Sequence, residues 1–476
     1  MNLCKLPRLR KSGFKKMFRV RMPSLKIGDS VARVPIVQGG MGVGISLAGL
    51  ASAVANQGGI GVIAANAVGM LEPDYYTNGR EADKRALRKQ IQKARRLSSG
   101  IIGVNLMVAV NDFHDLLRVS IEEKVDMVFL GAGLPLKGIP VRDIRAAGVK
   151  VVPIVSSARA ARLIFSYWEK TYSDIPDAVV VEGPKAGGHL GFKNEQIGDP
   201  AYALENIIPS VVSELEFYEN KYNKSLPVIA AGGIYDGEDI YKFFKLGAGG
   251  VQMASRFVAT HECDADKRFK EAYLDCKEED IVIIKSPVGL PGRAIKNNFL
   301  QEAESGKLKV SCPWRCLESC KAVHARYCIS QALDNARQGK LDQGFAFAGA
   351  NAFRIENIVH VKSLFKQLEG QYLKMVKSHT VNLRQEFEEA LKKLAAVRDQ
   401  HIKTAKESVR SLKAELGEIL EHGSAAFREE FNNIIVRLDS LKEEYARHFV
   451  RVHELKEQLA RYFDTSSLKL PNPVAT

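Results

Sequence analysis

One histidine of this chain lies in a glycine-rich segment of the kind found at catalytic sites. The segment Glu182-Gly-Pro-Lys-Ala-Gly-Gly-His-Leu-Gly places the imidazole of His189 directly after two glycines. A neutral imidazole with a pKa near its reference value of about 6.5 can accept a proton at neutral pH. Glycine lets a backbone pass close to a ligand. The segment therefore predicts a catalytic role for His189, either as a proton acceptor or as an anchor for a substrate.

Glycine-rich turns recur where short apolar runs of the sequence end. Gly232-Gly233 follows one such run, and the segments Gly247–Gly250 and Gln252–Ser255 surround the next. In a (β/α)₈ barrel, the loops after the seventh and eighth strands form the usual phosphate site. Backbone N–H groups in those loops receive the anion. These segments therefore predict a phosphate-binding site.

Four cysteines are bunched in the second half of the chain. Cys312, Cys316, Cys320 and Cys328 have the spacing C-x₃-C-x₃-C-x₇-C. Four thiolates can hold a zinc ion or an iron–sulfur cluster, and residues three or four apart share a helix face. The spacing matches neither the zinc-ribbon nor the ferredoxin pattern. The alternatives are a metal site, with His324 as another candidate for the fourth ligand, or free thiols.

Eight apolar runs must position these residues. Each run is almost continuously apolar, as expected of parallel strands that are covered on both faces, and segments of helical composition separate them. Repeated β-then-α units predict an α/β fold, a TIM (β/α)₈ barrel, with its active site at the carboxyl ends of the strands. The runs are residues 34–38, 60–64, 101–107, 125–130, 150–155, 177–181, 227–231 and 250–254.

After the last apolar run, the spacing of apolar residues becomes typical of long helices. Apolar residues in alternate steps of three and four, interrupted near Gly423, predict two long helices that form an antiparallel coiled-coil hairpin. This hairpin could pack on itself, on a second subunit or on another protein. The predicted regions are a basic, disordered arm (1–22), the barrel (23–260), a helical subdomain with the cysteine cluster (261–368), the hairpin (369–463) and a tail (464–476).

The net charge of +14 is concentrated at one end of the chain. Residues 1–30 contain nine Lys or Arg and one Asp, so the excess forms a local arm and does not indicate a nucleic-acid-binding face. The segment Met22-Pro-Ser-Leu-Lys resembles a natural start of the chain; a targeting arm and an arm that touches anionic surfaces are the alternatives. No apolar run reaches the length of about 18 residues that a membrane span needs. We expect a cytoplasmic protein.

Four of the segments, in this order, resemble the nitronate monooxygenase (2-nitropropane dioxygenase) family, which also contains enoyl-acyl-carrier-protein reductase II. They are residues 34–42, 182–191, 230–234 and 249–257, and the resemblance covers about residues 23–365. It implies a flavoprotein with non-covalent FMN and with His189 as the catalytic histidine. The flavin contacts that it implies are Gln38, Asn66, Glu182, Gly187, Gly188, Gly232, Gly233, Gln252, Met253, Ala254 and Ser255.

The resemblance implies an enzyme that oxidises alkyl nitronates with O₂, with His189 as base or substrate anchor. Many members carry Gln at the position of Glu182, whereas the enoyl reductase branch has Glu-Gly there. An NAD(P)H-dependent reductase of enoyl thioesters or quinones is therefore an alternative. An alternative of another class is a coiled-coil interaction scaffold that carries a flavin enzyme. In each case we expect the segment 286–294 to close over the substrate.

Overall fold

The computed structural model describes residues 21–306, 325–419 and 425–460. The chain forms two compact units. The first is Met22–Tyr372, and the second contains the described residues from Leu373 to Ala460. The first unit carries the chemistry-bearing residues that the structure describes.

Strands account for the centre of the first unit. They are β1 (Leu25–Ile27), β2 (Ser30–Ala32), β3 (Ile36–Gln38), β4 (Ile60–Ala64), β5 (Ile101–Met107), β6 (Met127–Gly131), β7 (Lys150–Val155), β8 (Val179–Glu182), β9 (Gly188–His189), β10 (Val228–Ala231), β11 (Gly250–Met253), β12 (Ile281–Lys285) and β13 (Pro291–Ile295).

Helices surround these strands and form the second unit. They are α1 (Ala48–Asn56), α2 (Tyr75–Leu97), α3 (Phe113–Glu122), α4 (Val141–Ala146), α5 (Ala158–Tyr172), α6 (Asn194–Ile197), α7 (Leu204–Tyr222), α8 (Gly237–Lys245), α9 (Ser255–Val258), α10 (Lys267–Asp275), α11 (Asn298–Glu304), α12 (Ile329–Arg337), α13 (Val361–Ile419) and α14 (Ala425–Ala460).

The barrel is closed and parallel. Its strands follow the order β3-β4-β5-β6-β7-β8-β10-β11, and β11 pairs with β3 to close the ring. Each of the eight apolar runs contributes one strand, so the predicted TIM barrel is confirmed. The β1–β2 hairpin adds Leu25 and Ile27 to the apolar core inside the barrel. Leu25 lies against Gly250, the first residue of β11, so the hairpin is at the amino ends of the strands and the carboxyl ends remain available for a site.

Local sequence signals explain where the surrounding helices begin. The Ser157 hydroxyl accepts a hydrogen bond from the Ala160 N–H at 3.2 Å and caps α5. Asp236 accepts from the N–H groups of Glu238 and Asp239 and caps α8 in the same manner. Buried residues of α5, among them Trp168, show that the helix turns an apolar face inward.

The segment predicted as a helical subdomain also contains two strands. β12 and β13 form an antiparallel hairpin, and β13 pairs in turn with the two-residue strand β9. Residues 281–284 are β-branched and favour a strand. The prediction of a mostly helical segment missed them because β9 lies far earlier in the sequence, and no local pattern indicates that pairing.

The second unit is a helical hairpin with its own apolar core. Phe387 of α13 packs in this core with Val452 and Leu455 of α14. Glu386 and Arg451 form an ion pair at 3.0 Å between the helices. The hairpin therefore packs on itself. Self-association and a protein partner stay predictions.

The ends of the chain and the turn at Gly423 lie outside the described residues, and the predictions of a disordered basic arm (1–22) and of a loose tail (464–476) fall largely there. In the part of the chain that the structure describes, no helix combines the length and the apolarity that crossing a membrane requires.

Candidate active site

Three adjoining cavities open where the barrel strands end. The central cavity has a volume of about 260 Å³, an outer cavity about 320 Å³ and an inner cavity about 70 Å³. Glu182, at the end of β8, borders all three. His189 borders the central and outer cavities. The site therefore has an inner, a central and an outer compartment.

The inner cavity is built from the turns after β10 and β11. Gly232 and Gly233 have φ angles of +95° and +84°, which favour glycine. A Cβ on Gly233 would lie 2.8 Å from the Cβ of Lys185. The Ser255 hydroxyl, on the same cavity, accepts a hydrogen bond from the Gly349 N–H at 3.0 Å. A small, backbone-rich pocket of this kind suits a phosphate group.

A buried arginine adds positive charge to the inner cavity. The guanidinium of Arg256 lies 4.3 Å from the centre of the Tyr235 ring, and both residues line the cavity. Its nitrogens donate to the carbonyl oxygen of Tyr235 and to the side chain of Gln367. Burial lowers the pKa of Arg256, but an arginine retains its charge at neutral pH. The positive charge favours an anionic group in this cavity.

The central cavity is shaped by close approaches of the backbone. A Cβ on Gly187 would lie 2.5 Å from the carbonyl carbon of Ala348, and one on Gly40 would overlap the side chain of Asn105. Both glycines line the cavity. The residues present therefore fit FMN, because a phosphate-sized inner pocket continues into a larger compartment whose glycine backbone leaves room for a flat ring.

Glu182 brings a carboxyl group into this enclosure. Its side chain is partly exposed to the cavities, yet it lies deep in the protein. Burial disfavours the ionised form and raises the pKa of Glu182 to about 7. The site thus changes charge near neutral pH.

His189 is held by the β-hairpin that the sequence did not predict. In the three-stranded sheet it pairs with Gly292 of β13. Its Nε2 lies 2.6 Å from the Ser286 Oγ, and its ring meets the Phe347 ring edge-on at a centroid distance of 5.0 Å. Burial lowers the pKa of His189 to about 4, so the imidazole is neutral at neutral pH.

The outer cavity is mainly apolar. Its walls include Met107, Leu134 and Ile154 from the barrel loops and strands. The segment 286–294, expected to close over the substrate, forms the β12–β13 turn and most of β13. Two of its side chains, Val288 and Leu290, line this cavity. The segment therefore lies where a substrate beside His189 would contact it.

The structure brings almost all the sequence-predicted cofactor residues together. The residues that line one or more of the three cavities, besides His189, are Asn66, Glu182, Gly187, Gly188, Gly232, Gly233, Gln252, Met253, Ala254 and Ser255.

Gln38 departs from this arrangement. Its side chain is fully buried, its Nε2 donates to the Gly39 carbonyl oxygen, and its Oε1 accepts from the Val62 N–H at 3.0 Å. The Oε1 bond joins β3 to β4, whereas the Nε2 bond is to the residue that directly follows β3. Because both ends of the amide have backbone partners, a structural role is the one that the geometry shows, and the expected cofactor contact of Gln38 stays a prediction.

The cysteine cluster falls mostly outside the described residues. Cys312, Cys316 and Cys320 lie there with His324, whereas Cys328 is the residue before α12. Residues 21–306, 325–419 and 425–460 contain no group of three His, Cys, Asp or Glu side chains placed to hold a metal ion. A zinc or iron–sulfur site at the four cysteines stays a prediction.

Three residues from outside the barrel support His189 and the loop before it, and the sequence analysis gave none of them an individual role. Ser286 bonds to its ring, Phe347 packs against it, and Arg293 donates to the carbonyl oxygens of Pro184 and Ala186 in the preceding loop. All three belong to residues 281–351, outside the barrel. The segment 286–294, expected near the substrate, contains Ser286 and Arg293. Their individual contacts depend on long-range pairing, for which the strand-like run 281–284 was a partial local signal.

Comparisons with known proteins agree with this geometry. A family described as nitronate monooxygenase matches residues 24–370. A probable nitronate monooxygenase of Staphylococcus haemolyticus is 29% identical, over 56% of this chain and 76% of the relative. A relative from Rhodococcus jostii, named (3aS,4S,5R,7aS)-5-hydroxy-7a-methyl-1-oxo-octahydro-1H-indene-4-carboxyl-CoA dehydrogenase, is 28% identical over 58% of this chain. The chain spans 66% of that relative's own length.

Two solved structures share the architecture. FabK from Thermotoga maritima is 28% identical, with a TM-score of 0.57 over 73% of this chain and 96% of that protein. A nitroalkane oxidase from Streptomyces ansochromogenes is 21% identical, with a TM-score of 0.56 over 77% of this chain and 99% of that protein, and supports the fold alone.

Proposed function

Because the chain belongs to the nitronate monooxygenase family, a family of flavin-dependent oxidoreductases, we propose that it is an FMN-dependent nitronate monooxygenase that oxidises alkyl nitronates with O₂. The observation that carries this proposal is the place of His189, a neutral imidazole on the wall shared by the glycine-lined central cavity and the apolar outer cavity.

The chain's own residues have separable tasks in this reaction. Gly232, Gly233 and Ser255 would hold the phosphate of FMN, and the backbone at Gly187 would lie beside its ring. Bound FMN would supply the redox chemistry by accepting electrons from the substrate and passing them to oxygen. His189 would bind the nitronate, and the apolar outer cavity would hold the alkyl chain and exclude water.

Two measurements test the proposal in sequence. The purified protein should show the absorbance bands of oxidised flavin, and heat or acid should release FMN, because the cofactor is not covalent. Anaerobic mixing with ethylnitronate or propionate-3-nitronate should then bleach the flavin rapidly, without NADH or NADPH. A flavin that keeps its colour with both nitronates contradicts the proposal.

The outer cavity favours a second candidate, an NAD(P)H-dependent reductase of enoyl thioesters or quinones. A volume of about 320 Å³ is enough for a substrate larger than a short nitronate. The name of the Rhodococcus relative and the family resemblance to enoyl-acyl-carrier-protein reductase II point the same way. This candidate predicts anaerobic bleaching by NADH or NADPH. If neither nucleotide bleaches the flavin, the second candidate is removed.

A further inference from the structure

We propose that Ser286 fixes the tautomer of His189, so that the imidazole meets the substrate as a hydrogen-bond donor through Nδ1–H and not as a base. The proposal rests on the proposed function for the identity of the substrate, but the contact between the two side chains is independent of it. Ser286 would be a positioning residue, because it acts on the substrate through His189.

The hydrogen bonds of Ser286 determine which atom donates. Its hydroxyl is buried, with its Oγ 2.6 Å from the His189 Nε2. The Val288 N–H points at the same oxygen at 3.4 Å and uses it as an acceptor. In the described part of the chain, Nε2 is the one acceptor within hydrogen-bond distance of this hydroxyl. A buried O–H without an acceptor is costly, so the hydroxyl hydrogen points to Nε2.

The tautomer follows from this direction. A neutral imidazole carries one N–H, and a ring nitrogen that accepts a hydrogen bond cannot be the one that carries the proton. With Nε2 accepting from Ser286, the proton of His189 lies on Nδ1. Neither nitrogen then has a free lone pair with which to remove a proton from carbon. The ring can instead donate to an oxygen of the substrate, such as a nitronate oxygen.

Backbone pairing keeps the two side chains together. Ser286 directly follows β12, and its N–H donates to the Leu290 carbonyl oxygen at 3.2 Å across the turn. On the other side, the Leu190 N–H donates to the Pro291 carbonyl oxygen at 2.8 Å. The imidazole therefore lies on β9 and the hydroxyl on the first residue after β12, in one three-stranded sheet.

This geometry predicts the substrate form that the enzyme uses. An imidazole that donates can bind a nitronate, which already carries its negative charge on oxygen. The same imidazole cannot take the α-proton of a neutral nitroalkane without a change of tautomer. We therefore expect oxidation of ethylnitronate and, by comparison, little oxidation of freshly dissolved nitroethane.

Nuclear magnetic resonance tests the tautomer without any turnover. The FMN-loaded protein is labelled with ¹⁵N-histidine, and the ring signals of His189 are identified by their loss in His189→Asn. We expect the two-bond couplings of the Nδ1–H tautomer in the wild type and in Ser286→Thr, which retains the hydroxyl. Ser286→Ala should lose that pattern, whereas Ser305→Ala, which removes an exposed hydroxyl bonded within its own helix turn, should keep it.

The opposite tautomer in the wild type, or an unchanged pattern in Ser286→Ala, overturns the proposal. Kinetics provide a second readout: kcat/KM for ethylnitronate should fall about tenfold in Ser286→Ala, the equivalent of one hydrogen bond, and recover in Ser286→Thr. The affinity for FMN should stay within about twofold. Oxidation of nitroethane as fast as ethylnitronate also contradicts the proposal. A wild type that oxidises no nitronate refutes the proposed function, while the resonance experiment still decides the role of Ser286.

Discussion

The two halves of the candidate site differ in how the sequence encodes them. The inner half, which is the wall of the inner cavity, consists mostly of residues at the ends of β8, β10 and β11 and in the loops that follow them. Gly349, Asn351 and Ala352 join them from outside the barrel. The outer half surrounds His189, where side chains of the β12–β13 hairpin and Phe347 approach from outside the barrel, beside barrel residues such as Met107 and Ile154. The inner half depends on backbone shape and the outer half on specific side chains. We therefore expect substitutions in the inner half to change mainly the affinity for FMN, and substitutions in the outer half to change mainly stability or substrate kinetics.

The largest expected effect belongs to the inner half. In Gly187→Ala, the new Cβ would lie 2.5 Å from the Ala348 carbonyl carbon and 2.6 Å from the Gly349 nitrogen, both backbone atoms that cannot turn aside. The loop must move, so we expect the affinity for FMN, measured by equilibrium dialysis, to fall by about 100-fold or more. The control is Gly198→Ala, at an ordinary negative φ with no atom within 4 Å. Equal FMN affinity in both variants would contradict the claim that the backbone around Gly187 leaves no room for a side chain.

Arg293 tests whether the outer half supports the inner one. Its buried guanidinium donates to the Ala186 carbonyl oxygen at 2.8 Å and to that of Pro184. Arg293→Met leaves these acceptors without their donor, so we expect the free energy of unfolding in urea to fall by about 2–4 kcal/mol. FMN affinity should fall too, because the loop carries Gly187. Arg268→Met, at an exposed position, should leave both the free energy of unfolding and the FMN affinity close to those of the wild type. If Arg293→Met is as stable as the wild type, the hydrogen bonds from Arg293 to Pro184 and Ala186 do not stabilise the loop.

Glu182 should make the reaction depend on pH. Since burial raises the pKa of Glu182 to about 7, the carboxyl is ionised above that pH and repels an anionic nitronate. We expect kcat/KM for ethylnitronate to fall several-fold from about pH 6 to about pH 8 and to change little in Glu182→Gln. An equal fall in both proteins would assign the pH dependence to another group.

Ionisation of Glu182 should also make the free energy of unfolding depend on pH. A raised folded-state pKa means that the native protein binds this proton more tightly than the unfolded chain does. The stabilising contribution is present in full below the ordinary pKa of 4.5 and is lost as pH rises through about 7. We therefore expect the difference in free energy of unfolding, Glu182→Gln minus wild type, to be more positive at about pH 8 than at about pH 5. Matched urea titrations of both proteins at the two pH values measure it.

The smallest effect should come from the wall of the outer cavity. Leu290→Ala removes apolar surface that a substrate chain would contact. We expect KM for a longer alkyl nitronate to rise about three- to tenfold, which corresponds to about 1 kcal/mol, with unchanged FMN affinity. Ile283→Ala is the matched control, because Ile283 is a half-exposed residue of the same hairpin that does not line the cavity. Equal KM values in the two variants would contradict the assignment of this wall.

The inner and outer halves also differ in how far the sequence predicts them. The eight strands follow from apolar runs of strand length, and Gly232-Gly233 and Gln252–Ser255 follow from their place after the last two strands. The segment 286–294 was expected near the substrate, but the specific contacts of Ser286, Arg293 and Phe347 could not be predicted, because their partners lie far away along the chain. The hydrogen bond from the Val62 N–H to the Gln38 side chain could not be predicted either, because the sequence does not say whether a polar side chain at a strand end faces a cavity or bonds to a neighbouring strand.

The most direct test of the central claim is the rate of anaerobic flavin reduction by ethylnitronate in the wild type and in His189→Asn. We expect equal FMN content in the two proteins, because the backbone of the inner and central cavities would hold the cofactor, and a rate about 100-fold lower in the variant. Equal rates in the two proteins, at equal FMN content, would contradict the assignment of His189 to the substrate.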